Sequence, residues 1–133
     1  MKASFRYDER LEPPGPALPL RLAAPGAEAG VVFPVLVDTG ADCTLVPQAT
    51  ARALRLPAVD EVSIEGMGGL VRRATVHAAR VEFAGVRCLA RVVAFGSEAI
   101  LGRDLLNRAV AVLDGPALTL SVTSASERRR SAS

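Results

Sequence analysis

The short apolar run Val35-Leu36-Val37 leads directly into Asp38-Thr39-Gly40-Ala41. A run rich in β-branched residues predicts a buried strand, so the carboxylate of Asp38 is expected at the end of that strand, partly removed from water. Thr39 supplies a hydroxyl that bonds locally, and Gly40 permits backbone angles and a close approach that a Cβ would forbid. The same residue types also form ordinary turns, so chemistry at this turn requires further groups, above all a second carboxylate.

Two further segments accompany this motif in a fixed order. The glycine-rich stretch Gly66-Met67-Gly68-Gly69 comes first, and residues 99–106, which read Ala-Ile-Leu-Gly-Arg-Asp-Leu-Leu, come later. Together with residues 38–46, the set resembles the single-domain, retropepsin-like aspartic proteases, whose familiar members are retroviral, and we expect a cellular or bacterial member. The resemblance covers roughly residues 18–122. It implies an all-β fold, a retropepsin-like half-barrel of short strands with one short C-terminal helix and a β-hairpin flap.

The length of the chain bears on how such a site is completed. A chain of 133 residues ordinarily forms one domain, and Asp114-Gly115-Pro116, which lacks the Thr or Ser, is better explained as a hairpin turn than as a second loop. The second carboxylate must then come from a second chain, and a two-fold axis would place Asp38 against its own copy. The resemblance therefore predicts a homodimeric aspartic endopeptidase acting on extended peptides. Two alternatives stay open: a non-catalytic dimerisation or peptide-binding module of the same fold, and a one-lobe fragment within a longer protein.

The resemblance also implies roles for individual residues. The predicted catalytic residues are Asp38, which shares a proton with its copy and activates a water, Thr39, which bonds across the axis, and Gly40, which meets the substrate backbone. Arg103 is predicted to pair with Asp42 and so to fix the loop that carries Asp38. No metal or other cofactor is predicted. The predicted substrate-binding residues are Ala41, Asp42, Cys43, Met67, Gly68, Gly69 and Ile100, with Leu36 and Leu70 as further pocket candidates.

Ala41 directly follows the glycine of the motif. A Ser at this position can donate a hydrogen bond toward the paired carboxylates and stabilise their charge, whereas Ala cannot. We therefore expect the shared proton to persist to higher pH than in Ser-bearing relatives, with activity in mildly acidic to near-neutral conditions.

Composition favours a folded domain and argues against two classes of partner. Hydrophobic residues make up 50% of the chain and charged residues 23%, enough apolar material for one core. No stretch approaches the roughly 18 uncharged apolar residues of a membrane span, and the first ten residues are too charged for a signal peptide, so we expect a cytoplasmic protein. A net charge of +2 is too small to indicate nucleic-acid binding.

The cysteine and histidine content excludes several kinds of site. Cys43 and Cys88 lack metal-ligand spacing, and free thiols are the better expectation in a cytoplasmic protein. His77 is the single histidine of the sequence, so a histidine cluster for a metal cannot form. A partly packed histidine on a strand is its simplest interpretation.

The chain divides into three parts on composition. Residues 1–16 contain Pro13-Pro14-Gly15-Pro16 and are predicted to form an N-terminal arm or linker that swings away from the core. Residues 17–122 form the predicted protease domain, in which 117–122 supply a C-terminal interface strand. Residues 123–133 are predicted to be a disordered tail rich in Ser and Arg.

Local patterns predict the elements of the domain. Apolar alternation predicts strands, turns separate them at Gly and Pro, and Pro34 is expected to cause a bulge or an unpaired position in its strand. A helix with one apolar side is predicted over 47–56, and a shorter one over 104–108. The predicted strands are 18–22, 31–37, 62–65, 70–76, 76–83, 86–95 and 100–102.

Overall fold

Strands make up most of the computed structural model, which describes residues 2–125. They form where apolar residues alternate in the sequence, and the predicted all-β class with a short C-terminal helix is confirmed. The helices are α1 (Gln48–Ala53) and α2 (Arg103–Leu106), and a single 3-10 turn spans Met67–Gly69. The strands are β1 (Lys2–Arg6), β2 (Ala17–Ala23), β3 (Gly30–Val37), β4 (Leu45–Val46), β5 (Ala58–Glu65), β6 (Val71–Phe83), β7 (Val86–Ala94), β8 (Ile100–Leu101), β9 (Ala109–Asp114) and β10 (Thr119–Ser124).

Both helices are short, with six residues in α1 and four in α2. The first is shorter than the predicted 47–56 because Leu54 caps it and Arg55 takes a positive φ of 52°, which an α-helix does not allow. Across residues 2–125, no helix has the length and apolar character to cross a membrane.

Seven strands form the main sheet, in the order β2-β3-β8-β4-β7-β6-β5. Because β2 also pairs with β6, the sheet curls back on itself and encloses the core. The β6–β7 hairpin turns at Ala84 and Gly85, which both have positive φ, as a tight two-residue turn requires. Fully buried side chains fill the interior; the largest are Leu18, Leu20, Leu22, Leu101, Leu120, Val35, Val46, Val81, Val92, Val122 and Thr44.

Pro34 lies within β3 without disturbing its pairing. It stands directly opposite Pro19 of β2, and the register of the two strands runs without a shift, so the expected bulge does not form. The bond from the Val37 N–H to the Pro16 carbonyl shows that Pro34 and Pro19 occupy a non-hydrogen-bonded pair. Neither nitrogen faces the other strand, so the missing donors cost no bond between β2 and β3.

The two ends of the described chain meet in a second sheet, with the strand order β1-β10-β9. Lys2–Arg6 pairs with Thr119–Ser124, and an isolated bridge joins Asp8 to Gly15. The prediction that residues 1–16 swing away from the core is therefore wrong, because Phe5 packs on Leu120 at the edge of the core. The predicted limits of the protease domain at residues 17 and 122, and of the tail from residue 123, stay predictions.

The C-terminal strand also differs from its prediction. Residues 117 and 118 belong to the turn before β10, and the strand extends through Ser124, two residues into the predicted tail. The rest of that tail, residues 126–133, lies outside the described residues. Since β10 pairs with β1 on one side and β9 on the other, neither of its edges is open to a second chain. The prediction that 117–122 pairs across a dimer interface is wrong for this structure.

Candidate active site

Asp38 lies immediately after β3, at the start of a tight turn. Its backbone N–H donates to the carbonyl of Leu101, 3.1 Å away, which ties the turn to β8. The N–H of Gly40 donates to Oδ1 of Asp38 at 2.9 Å and orients the carboxylate. In residues 2–125, Oδ2 accepts no hydrogen bond, so one oxygen of a half-buried carboxylate stays free for other groups.

The segment after this turn crosses over the strand β8 and its continuation. Strand β8 runs parallel to β3, with Val37 opposite Leu101, and residues 41–43 pass directly over Gly102. A Cβ on Gly102 would lie 2.5 Å from the carbonyl carbon of Cys43 and 3.1 Å from the carbonyl oxygen of Ala41. Only glycine fits this crossing, because the nearest obstacles are backbone atoms.

Thr44 fastens the crossing from inside the core. Its side chain is completely buried; Oγ1 accepts a bond from the Gly102 N–H at 3.1 Å and donates to Oδ1 of Asp104 at 2.8 Å. The Thr44 N–H also donates to Oδ2 of Asp104, 3.3 Å away. Two segments that lie about 60 residues apart in sequence are thus joined through one hydroxyl.

Arg103 supports the loop, but through a different partner from the predicted one. Its Nη1 donates to the carbonyl oxygen of Thr39 at 2.6 Å, and its backbone N–H donates to the carbonyl of Ala41 at 2.9 Å. The ion pairs of residues 2–125 do not include one between Arg103 and Asp42. The predicted pair is wrong, because the guanidinium reaches the backbone of the turn before Asp42.

A cleft of about 770 Å³ opens beside the Asp38 turn. The hairpin formed by β5 and β6 contributes its stem to one wall, and the segment after Asp38 contributes the other. The structure brings six of the predicted site residues together there. Those that line the cleft are Asp38, Gly40, Ala41, Asp42, Cys43 and Ile100, whereas Thr39, Leu36 and Leu70 are not among its lining residues.

The tip of the β5–β6 hairpin stands away from the cleft. A bond from the Gly66 N–H to the Leu70 carbonyl, 2.8 Å, closes the tip, and Gly68 and Gly69 have positive φ of 80° and 75°. The side chain of Met67 is 99% exposed. Met67, Gly68 and Gly69, which were predicted to contact substrate, therefore do not line the cleft in this structure.

Sequence reasoning missed several residues of the cleft wall. Val62 and Ile64 share one face of β5 and pack with Val93 and Leu45 in a second, smaller apolar cluster. Their alternation along β5 was a usable signal, because residues two apart on a strand point to the same side. Ser63 and Glu65 complete the set of lining residues that were not predicted.

The thiol of Cys43 is held in its neutral form. Burial raises its pKa to about 11, and the negative charges of Asp42 and Asp104 and a hydrogen bond to Asp42 act in the same direction. A neutral thiol is a poor nucleophile. Cys43 therefore acts as part of the cleft wall, and both Cys43 and Cys88 are free cysteines as predicted.

Comparison with known proteins identifies the family of this chain. Residues 26–108 match the family model described as gag-polyprotein putative aspartyl protease, which spans more than half of the chain. The chain belongs to this family. The EIAV protease complexed with the inhibitor HBY-793 superposes on this chain with a TM-score of 0.54. The alignment has 24% sequence identity and covers 70% of this chain and 86% of that one, which confirms the retropepsin-like fold.

The search of curated proteins finds no match to this chain. The family match includes the Asp38 turn, the β5–β6 hairpin and the whole of α2. It ends at residue 108, so the strands β1, β9 and β10 all lie outside it. The matched region therefore includes the Asp38 turn and the β5–β6 hairpin, whereas β2 and the three strands of the second sheet lie outside it.

Proposed function

We propose that this protein is an aspartic endopeptidase that works as a homodimer. The observation that carries the proposal is the Asp38 turn beside the cleft. Its carboxylate has one free oxygen and accepts the Gly40 N–H through the other, and backbone bonds to Leu101 and Ala41 hold the turn in place. Membership of an aspartyl protease family supports a peptidase. The non-catalytic module of the same fold remains the alternative.

Each chain supplies a single Asp-Thr-Gly turn, so a second copy has to complete the site. Thr39 and Gly40 are exposed beside Asp38, as a surface that meets its own copy requires. The Thr39 carbonyl is already held by Arg103, which leaves its hydroxyl to bond across the two-fold axis. The two carboxyl groups then lie close together and share one proton, because two negative charges at that distance repel.

The proposed reaction uses this shared proton and a bound water. The ionised carboxylate takes a proton from the water, whose oxygen bonds to the peptide carbonyl carbon, while the protonated carboxyl group donates to the carbonyl oxygen. In the second step the carboxyl group that took the water proton donates it to the peptide nitrogen, a hydroxyl of the tetrahedral intermediate returns its proton to the other carboxylate, and the C–N bond breaks. The products are a free carboxylate and a free amine, and no covalent enzyme intermediate forms.

The cleft favours an extended peptide with apolar side chains near the cut. The wall formed by Val62, Ile64, Leu45 and Val93 is apolar, and an extended segment between the turn and the hairpin would bind through its backbone. We further propose that the β5–β6 hairpin closes over the peptide as a flap. Its glycine-rich tip carries few side chains that would resist such a movement.

Cleavage of a mixed peptide library tests the proposal, with Asp38→Asn as the matched control. We expect the wild type to cut and the variant to be inactive, because an amide cannot take the proton from water. HBY-793, which was solved in complex with EIAV protease, is a further probe and should inhibit the cleavage. Identical cleavage patterns for wild type and variant would refute the proposal, and peptide binding without cleavage would support the non-catalytic alternative.

A further inference from the structure

A second concave site lies on the outer face of the main sheet. It has a volume of about 590 Å³, and every residue that lines it is charged: Arg21, Arg80, Arg87, Glu28 and Glu82. Strands β2, β6 and β7 supply its floor, because Glu82 stands opposite Arg21 on one side and opposite Arg87 on the other. None of these residues lines the cleft beside Asp38, so this arginine pocket is a separate site.

Glu82 holds two of the arginines side by side. Its Oε1 accepts a bond from Nε of Arg87 at 2.5 Å, and its Oε2 lies 3.5 Å from Nε of Arg21. Each oxygen of one carboxylate therefore serves a different guanidinium group. Two positive charges share one negative charge, so this row of the pocket keeps a net positive charge.

Arg80 adds a positive charge that is fixed in place. Its Nη2 donates to the carbonyl of Ala27, and Nη2 of Arg21 donates to the carbonyl of Glu28 at 2.9 Å, so both side chains are anchored to the loop between β2 and β3. Among residues 2–125, Arg80 forms no ion pair. A guanidinium has five N–H donors, so most of those of Arg80 stay available to an anion. Because the side chain is already ordered, binding an anion costs little further conformational entropy.

An apolar side chain is exposed beside these arginines. Leu89 is 67% exposed, stands opposite Arg80, and shares its face of β7 with Arg87 and Arg91. Arg91 is also exposed and forms no ion pair within the described part of the chain. A leucine surrounded by cations is complementary to a peptide in which acidic residues flank an apolar one.

The glutamates of the pocket favour a peptide over a nucleic acid. Glu28 is exposed at the wall and has no ion-pair partner among residues 2–125. A nucleic acid carries a negative charge at every phosphate, so some of its phosphates would meet Glu28. A peptide can place its carboxylates on the arginines and a neutral residue beside Glu28.

One face of β7 connects the arginine pocket to the cleft. Val93 lines the cleft and lies two residues beyond Arg91, on the same side of the strand. The distance along β7 from Val93 back to Arg87 is about 20 Å, at about 3.3 Å per residue. An extended peptide spans that distance with about six residues.

We propose that the arginine pocket, together with Leu89 and Arg91, is an exosite that binds an acidic segment of the protein substrate. The segment carries carboxylates for Arg80 and Arg91 and an apolar side chain for Leu89. It lies about six residues from the bond that is cut. This inference rests on the proposed peptidase function, and it adds a substrate class: proteins with an acidic segment near an apolar cleavage site.

Fluorescence anisotropy tests the exosite directly, with a labelled peptide in which Asp and Glu flank a central Leu. The protein carries Asp38→Asn in every sample, so that the peptide is not cut. We expect Arg80→Gln to weaken binding about 10-fold through the loss of a charge-assisted bond, and Arg91→Gln about 3-fold. Arg91 is exposed, so its variant keeps the test valid even if Arg80→Gln loosens the loop. Arg52→Gln, an exposed arginine of α1 outside the pocket, is the matched control and should bind as the parent does.

Three results of this binding experiment would overturn the exosite. The first is equal affinity of the Arg80, Arg91 and Arg52 variants for the acidic peptide. The second is equal binding of a control peptide with Asn and Gln in place of Asp and Glu. The third is a single-stranded oligonucleotide that binds more tightly than the acidic peptide and loses affinity with the same variants, which would assign the pocket to nucleic acid.

Kinetics test whether the exosite serves the peptidase. A peptide that the wild type cuts is extended by the acidic segment, placed about six residues before or after the cut in separate peptides. The extension should lower KM about 10-fold and leave kcat unchanged, because the segment binds equally in the ground state and the transition state. Leu89→Ser should raise KM for the extended peptide and not for the original one. An extension that leaves KM unchanged on both sides of the cut would reject the role in substrate binding.

Failure of the exosite and failure of the proposed function give different results. Cleavage that depends on Asp38, with no effect of the acidic segment on binding or on KM, rejects the exosite and leaves the peptidase. Binding of the acidic peptide that depends on Arg80, with no cleavage of any peptide, rejects the peptidase and supports the pocket as a docking site for an acidic protein segment.

Discussion

Replacing Thr44 by Val exchanges one buried hydroxyl for a methyl group and keeps the shape of the side chain. The buried Gly102 N–H loses its acceptor at 3.1 Å, and Asp104 loses a donor at 2.8 Å. An unsatisfied buried N–H costs about 1–3 kcal/mol. Asp104 is exposed, so water replaces most of its lost bond, and the added methyl returns up to about 1 kcal/mol. We expect a net loss of about 1–2 kcal/mol in the free energy of unfolding.

Thr44→Ser is the matched control, because it keeps the hydroxyl and removes a methyl group. Its expected cost is about 1 kcal/mol. For a domain of this size, 1 kcal/mol corresponds to about 4 °C in Tm, so we expect losses of about 4–8 °C for Val and about 4 °C or less for Ser. Calorimetry measures both. If the Val variant is as stable as the Ser variant, the hydroxyl does not hold the crossing and the reasoning is wrong.

Three further changes test the site. Gly102→Ala should destabilise the domain by about 1–3 kcal/mol and abolish cleavage, because the added Cβ would clash with the Cys43 carbonyl. Thermal unfolding measures the loss of stability and a peptide assay the loss of cleavage; wild-type values in both would contradict the prediction. Ala41→Ser should move the optimum of the pH-rate profile to lower pH, because the added hydroxyl stabilises the ionised pair; an unmoved or raised optimum would count against this role. With a pKa of about 11, about one Cys43 thiol in a thousand is ionised at pH 8, so alkylation of Cys43 should be slow at that pH. Asp42→Asn should speed the alkylation, because it lowers the pKa of Cys43. An unchanged alkylation rate would argue against Asp42 as a cause of the raised pKa.

The parts of the fold that follow from local pattern were predicted correctly. The turn at Asp38, the β6–β7 hairpin at Ala84 and Gly85, and the short helix after Gly102 each depend on residues close together in sequence. Strand β5 begins at Ala58, earlier than predicted, because its first residues are exposed and pair with β6 without any apolar alternation. The start of β5 is therefore set by its pairing with the long strand β6 and not by apolar alternation in its own sequence.

The errors concern contacts between distant segments. The bond between Thr44 and Asp104 depends on how two segments cross, and no local pattern reports that crossing. Arg103 was assigned to Asp42, although its guanidinium reaches the Thr39 carbonyl. The prediction of a loose N-terminal arm is wrong because β1 pairs with β10, and no local pattern indicates a pairing between residues more than 110 positions apart in sequence.

The pairing of β1 with β10 inside one chain separates folding from assembly. A protein whose terminal strands are completed by a second subunit has a Tm that rises with protein concentration, because dissociation and unfolding are coupled. Here the two strands pair with each other within the chain, and Leu120 and Val122 of β10 are fully buried in the single subunit. We therefore expect the isolated subunit to stay folded. If the proposed dimer forms the active site, dilution should abolish peptide cleavage reversibly while the unfolding midpoint stays nearly constant.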